Sequence, residues 1–278
     1  MCKRAGRSMG WIVAVLATAG AAQALTIGDV QQCDASTSWL SPHDGQTVDV
    51  AGGVVTYVAA PPGKRTPRVV IQDPTLSTWA GIEIKIFDGT LGQGVQLGDR
   101  VDLTNVVVDE SSSTRGTTYL LFDATAYGSG FTVLGSGHAV APTVVSASVL
   151  GAGDLSADPA AAEKYEGMLL SIADATVGDR DLGSHADNYA LNTPAGTCWA
   201  SDYLNVDRDS AAKYHPRTVT GAQFDAVVGV LEQYKKDSSG YDYYQLLTRS
   251  GADLVPEPGT LALLALGAAL RLRRRRRR

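Results

Sequence analysis

Residues 46–58 read Gln46-Thr47-Val48-Asp49-Val50-Ala51-Gly52-Gly53-Val54-Val55-Thr56-Tyr57-Val58. Apolar and polar side chains alternate at first, and β-branched residues dominate the end, the pattern of a half-buried strand. The paired Gly52-Gly53 marks a bend or bulge. Similar runs follow at Arg68 to Gln72 and Trp79 to Phe87, split by Asp73-Pro74. Arg100 to Val108 comes after Gly98-Asp99, and Thr117 to Thr125 closes the set. Five strands in about 80 residues suit a small closed barrel better than an open sheet, because closure removes edges.

A second set begins beyond the Ala/Gly/Ser/Asp-rich stretch Ser146 to Ala162. Its strand candidates are Tyr165 to Val177, Asn188 to Asn192, Thr197 to Leu204, Ala226 to Glu232 and Tyr243 to Thr248. Asp158 to Lys164 is the only stretch there that reads as a helical turn or two. With 30 glycines and 19% charged residues, the composition is that of an all-β chain. Two short similarities suggest an internal repeat: Gly53 to Tyr57 against Gly229 to Tyr234, and Tyr119-Leu120-Leu121 against Tyr244 to Leu247.

The ends carry targeting signals. Lys3, Arg4 and Arg7 precede the apolar run Trp11 to Ala17, and Ala22-Gln23-Ala24 is a small-x-small cleavage site. Residues 1–24 are thus expected to be a signal peptide, handled by the secretion translocon and signal peptidase. At the other end, Val255-Pro256-Glu257-Pro258 leads into Gly259 to Leu270, where Thr260 is the only polar side chain. Arg271, Leu272 and the run Arg273, Arg274, Arg275, Arg276, Arg277, Arg278 follow. As a helix these 12 apolar residues span about 18 Å, short of the roughly 30 Å hydrocarbon core of a bilayer. The arginines should stay cytoplasmic and stop the tail transiently during export.

This order of motif, apolar block and arginines resembles the PEP-CTERM sorting signal of exported proteins in exopolysaccharide-producing Gram-negative bacteria. The resemblance implies an exosortase-type membrane protease acting at Pro256, Glu257 and Pro258, and then deposition at the cell surface or in the extracellular matrix. A second resemblance rests on Gly53-Val54-Val55-Thr56, Val70-Ile71-Gln72-Asp73 and Leu97-Gly98-Asp99-Arg100-Val101. It extends through Tyr165 to Leu170, Val228 to Leu231 and Leu246 to Leu254. These resemble OB-fold modules that accompany bacterial extracellular nucleases and lamin-tail proteins. The implied architecture is two tandem OB-like β-barrels, at 25–141 and 142–254, between the signal peptide and an apolar-basic helical sorting tail at 255–278. Nuclease activity is not implied, because those enzymes carry it in a further catalytic domain.

Processing changes the charge. The chain's 24 Lys+Arg and 29 Asp+Glu give −5. Three of those bases lie in 1–24, and seven bases with one acid lie in 256–278, which leaves 14 bases and 28 acids in 25–255. A net charge of −14 opposes binding to phosphate backbones, which depends on Lys and Arg releasing counterions, so nucleic acid is not an expected partner. Cys33 and Cys198 are the only cysteines of 25–255. In an oxidising compartment they could pair as a disulfide or remain two thiols, and the sequence leaves both open.

Catalytic signatures are missing from the sequence. His43, His138, His185 and His215 form no H-E-x-x-H pair, and neither a G-x-S-x-G elbow nor a complete phosphate loop occurs. Asn205, Asp207 and Asp209 alternate as in a calcium loop, but Ser210 and Pro216 replace the required Gly and Glu. No catalytic residue, metal or cofactor is therefore expected. Aromatic side chains on the candidate strands offer a ligand face: Tyr57, Trp79 and Tyr119 in the first barrel, Tyr241 and Tyr243 in the second. OB-folds bind oligosaccharides or oligonucleotides on such faces. The expected function is a non-catalytic exported protein that binds exopolysaccharide or a surface protein. The alternative is an accessory nucleic-acid-binding module of an extracellular nuclease-type hydrolase, or such a hydrolase itself.

Overall fold

The computed structural model describes residues 24–257, apart from 61–62, 64–65, 90–93, 114–115, 237 and 239. The signal peptide through Gln23, Pro258, the apolar block and all seven tail arginines lie outside the described residues.

The first sheet contains β1 (Leu25–Thr26), β2 (Thr47–Ala59), β3 (Arg68–Gln72), β4 (Gly81–Ile86), β5 (Arg100–Glu110), β6 (Thr118–Phe122) and β7 (Gly130–Gly135). Strand β2 pairs with both β3 and β5, β4 runs parallel to β6, and β5 pairs with β6. With β3 on β4, the five strands β2-β3-β4-β6-β5 close into a ring. The second sheet contains β8 (Thr143–Val144), β9 (Leu169–Leu182), β10 (Asn188–Thr193), β11 (Gly196–Ser201), β12 (Gln223–Lys236), β13 (Tyr241–Leu247) and β14 (Leu254–Pro256). Its ring, β9-β10-β11-β13-β12, repeats the same pairing, with β11 parallel to β13 and β12 returning to β9. Each is the five-stranded Greek-key barrel of the OB-fold.

The Gly52-Gly53 pair bends β2 as expected. The register of β2 against β5 shifts there, Gly52 has φ +83°, and a Cβ on Gly53 would lie 2.7 Å from Ile71 Cδ1. The strand expected over Trp79 to Phe87 begins only at Gly81, because Trp79 sits in the left-handed region at φ +57°. Tyr165 belongs to a 3-10 turn (Glu163–Tyr165) ahead of β9, and that turn continues a short helix (Pro159–Ala162) capped by the Asp158 side chain. Of the two repeat candidates, Tyr119 and Tyr244 do sit on the equivalent last ring strands β6 and β13. Gly53 and Gly229 sit on β2 and β12, which are not equivalent.

Each barrel has its own apolar core, and a third cluster joins them. Tyr57 and Val70 from the first barrel pack there with Leu169, Leu204, Val230 and Leu247 from the second. Polar contacts follow the same seam. The Trp79 N–H donates to Lys164 O (2.6 Å), the Leu169 N–H to Gln72 Oε1 (2.7 Å), and Arg249 Nη1 to Thr56 O (2.8 Å). The Thr118 N–H donates to Glu166 Oε1 at 2.8 Å.

The seam holds carboxyls under strain. Burial pushes Glu110 up to about 7, against hydrogen bonds from Ser41 and Thr118 and with a further push from Asp44 and Asp109. Burial first, then Glu163 and Glu110, raise Glu166 well above the ordinary range. A carboxyl whose pKa is higher folded than unfolded contributes stability that is complete below its unfolded pKa and is lost as pH rises through the folded value. For Glu110 that window runs from about 4.5 to about 7 and represents roughly 2–3 kcal/mol, allowing for the part of the group that solvent reaches. Urea midpoints should therefore fall between pH 5 and pH 8. Glu110→Gln should remove much of that slope, and an unchanged slope in the variant would refute the assignment.

Candidate ligand-binding cleft between the barrels

Strand alternation builds the site. Along β12, Leu231 points into the second barrel's core, so Val230, Glu232 and Tyr234 share the outer face. Along β13, Tyr244 and Leu246 point inward, and Tyr243, Gln245 and Leu247 outward. The register sets Val230 opposite Leu247, Glu232 opposite Gln245 and Tyr234 opposite Tyr243. The outer face thus passes from an apolar pair in the seam, through a polar pair, to an aromatic pair.

The polar and aromatic steps line a cleft of about 540 Å³. Gly63 and Arg68 of the first barrel close one side, Tyr203, Arg208 and Lys213 of the β11–β12 connection another, and His185 and Asp187 of the β9–β10 connection the end. Both barrels are needed to form it.

Its polar groups form a fixed network. Arg68 Nη1 donates to Glu83 Oε1 (2.7 Å) and Glu232 Oε1 (3.3 Å), with the guanidinium 5.1 Å over the Tyr203 ring. Gln245 Nε2 donates to Glu232 Oε2 (2.6 Å), and Asn188 Nδ2 donates to Gln245 Oε1 (2.7 Å). Burial works against the Arg68 charge, and Glu83 and Glu232 more than offset it. Burial raises Glu83, and Arg68 opposes that rise. Lys213 Nζ donates to Asp181 Oδ1 (3.1 Å) and Ala186 O (3.0 Å), while Arg208 Nε donates to Asp202 O (2.9 Å). Burial raises Asp187, with His185 opposing.

The aromatic part is a connected patch. Tyr234 and Tyr243 stack with centroids 5.3 Å apart at 22°. Trp199 and Tyr241 meet Tyr243 edge-on at 4.9 and 6.3 Å, and His185 meets Tyr234 at 5.7 Å. The Tyr243 hydroxyl accepts from the Ser184 N–H at 3.1 Å, and burial raises its pKa. The patch is therefore held in place before any ligand arrives.

The five aromatic candidates from the sequence separate into two groups. Tyr241 and Tyr243 share one face, and Tyr243 lines the cleft. Tyr57 is buried in the seam, and Trp79 is half-buried beside it with its N–H on Lys164. Tyr119 is buried on β6 beneath the Lys85 ammonium, 3.1 Å from its ring centre. Tyr57 is covered by the neighbouring barrel and Tyr119 by a lysine, so these two form no open face. Cys33 and Cys198 are both free and buried, so the disulfide candidate is not formed. Cys198 belongs to the second core. Asp207 Oδ2 accepts the N–H of Gly251, in the turn ahead of β14, and Asp209 Oδ1 accepts the Ala211 N–H of its own loop. Arg68, Tyr203, Glu232, Tyr234 and Gln245 were not singled out from sequence. Their one local signal is the polar and aromatic residues that interrupt the apolar runs of β12 and β13.

Residues 254–278 match the family model of the PEP-CTERM protein-sorting motif. The class defined by fold and signal is an exported protein with two OB-like barrels, handled by an exosortase-type membrane protease and directed to the cell surface or extracellular space. No curated protein matches the chain significantly. Among solved structures, it is similar to Schizosaccharomyces pombe Pot1pC bound to ssDNA, at 14% identity over 35% of this chain and 83% of that one, with a TM-score of 0.26. An OB domain from Methanosarcina mazei is 16% identical over 34% and 78%, with a TM-score of 0.26. A murine DNA-binding protein with dsDNA is 10% identical over 70% and 91%, with a TM-score of 0.32. Overlaps this weak decide nothing about ligand, and the OB assignment rests on strand order and pairing.

Proposed function

We propose that this is a non-catalytic surface or matrix protein that binds a secreted polymer, an exopolysaccharide, in the inter-barrel cleft. The observation that carries the reading is the stacked Tyr234–Tyr243 pair beside the hydrogen-bonded Arg68–Glu232–Gln245 network. Sugar rings present apolar C–H faces that lie on aromatic rings, and hydroxyl edges that planar carboxylate, amide and guanidinium groups can bridge. The basic side chains of the cleft already donate to carboxylates or carbonyls of the protein, which leaves the site poorly matched to a phosphate backbone. The acidic charge of 25–255 points the same way. In this reading the short apolar tail is a transient inner-membrane stop, and the barrels then work outside the cell.

Titrating oligosaccharide fragments of the host's exopolysaccharide, and separately single-stranded DNA, into residues 25–255 tests the reading. Saccharide binding is expected, and Tyr234→Ala should weaken it about tenfold, some 1.4 kcal/mol, while the thermal midpoint moves little. Salt-sensitive DNA binding without saccharide binding would support the nuclease-accessory alternative instead.

A further inference from the structure

The sorting motif does not hang free of the second barrel. Strand β14 contains its first residue: Leu254, Val255 and Pro256 pair antiparallel with Val227, Ala226 and Phe224 of β12. Leu254 is buried in the second barrel's core. Arg217 fixes the backbone at that anchor and just before it, with Nη2 on Leu254 O (2.5 Å) and Nη1 on Gly251 O (2.9 Å). The same guanidinium lies 5.4 Å over the ring of Phe224, the residue opposite Pro256. Upstream, Arg249 forks onto Asp253 (3.0 and 2.7 Å) and reaches across the seam to Thr56 O. The Gly251 N–H is held by Asp207 Oδ2 at 2.7 Å. From Arg249 to Pro256, nearly every residue is tied to the fold, and no spacer separates the barrel from Glu257.

We propose that docking of β14 on β12 controls sorting: the membrane protease meets the Pro256-Glu257-Pro258 motif only after this strand has peeled from the second barrel. A protease takes its substrate as an extended segment in its own groove, and a segment paired in a sheet cannot enter that groove. Cleavage of a folded substrate then follows the population of the locally opened form whenever reclosing is fast. Arg217, Leu254 and Phe224 set that population. The consequence is a protein that leaves its tail slowly once the second barrel is folded, and quickly while it is not. The inference rests on exosortase handling of the motif and is independent of what the cleft binds.

The test follows tail loss by mass spectrometry, using the full chain in isolated membranes that contain the host's sorting protease. Inserting Gly-Ser-Gly-Ser between Val255 and Pro256 leaves Leu254 in the core and frees the motif, and processing should accelerate roughly tenfold as the opening requirement disappears. The double variant Ala226→Cys/Val255→Cys tests the reverse. These residues are directly opposite, and antiparallel partners stand about 4.5–5.5 Å apart at Cα, within disulfide reach. Oxidised, it should be processed at least about tenfold more slowly than the wild type, and reductant should restore the rate. Because the same molecules are compared before and after reduction, a folding defect cannot imitate the result. Wild-type processing rates in the oxidised double variant would overturn the proposal, whatever the linker variant does.

Discussion

Gly81→Ala will part the two barrels. A Cβ on Gly81 would stand 2.1 Å from the carbonyl carbon of Gly167 and 2.2 Å from its oxygen. Gly81 opens β4 of the first barrel, and Gly167 lies two residues before β9 of the second, so backbone meets backbone across the seam. No rotamer can relieve that contact. Gly167 cannot move aside cheaply either, because it sits at φ +69° and its N–H donates to Leu231 O. Overpacking normally costs 1–3 kcal/mol, and a rigid clash of this depth belongs at about 3 kcal/mol or above. For a protein of this size that is a fall of roughly 6–12 °C in thermal midpoint, with the seam failing before the barrels. Calorimetry should show one transition becoming two. Saccharide binding should vanish as well, because Arg68 and Gly63 leave the cleft with the first barrel. Gly45→Ala is the control. It meets nothing within 4 Å, and its one cost is left-handed strain at φ +74°, which Gly81 does not share, so it should cost only about 1–2 kcal/mol and leave the cleft intact. Equal effects from the two variants, or an intact cleft in Gly81→Ala, would mean that the Gly81–Gly167 contact does not hold the seam.

The same seam explains what could be read from sequence. The ring strands were legible because each must bury one face, which leaves an alternating pattern, and because Gly52-Gly53 and Asp73-Pro74 punctuate them. Strand β7 was not, since none of its residues is buried and they carry no alternation. Strand β14 was hidden because only three residues pair and one of them is proline. The cleft was half legible. Alternation placed Tyr241 and Tyr243 together, which depends only on neighbours along one strand. It also made Tyr57 and Tyr119 look like an open face, because a strand pattern distinguishes a barrel's inside from its outside and not solvent from a second barrel. Arg68 and Glu232 are 164 positions apart, and only docking of the barrels brings them together.

Arg68 is where docking and recognition meet, and its removal should be the most damaging side-chain change in the cleft. Arg68→Ala strands Glu83, which is 3% exposed and has the Arg68 guanidinium as its charge partner at 2.7 Å. Breaking a buried pair by deleting one member costs about 3–5 kcal/mol, because the remaining charge has lost its compensation. Glu83 is already raised by burial with Arg68 present, and losing the arginine raises it further. The sign of the pH dependence follows. A carboxyl whose folded pKa exceeds its unfolded value of about 4.5 keeps its contribution at low pH and loses it as pH rises. Arg68→Ala should therefore be least damaging near pH 5 and most damaging near pH 8, as measured by urea midpoints at the two values. Adding Glu83→Gln should recover much of the loss at pH 8, since the more buried of the two carboxylates is then neutral and Glu232 keeps its bond from Gln245. Recovery leaves a folded protein whose cleft still lacks its guanidinium, so saccharide affinity should stay low in Arg68→Ala/Glu83→Gln while stability returns. If affinity returned together with stability, Arg68 would be a structural ion-pair member alone, and recognition would rest on Tyr234, Tyr243 and Gln245 without it.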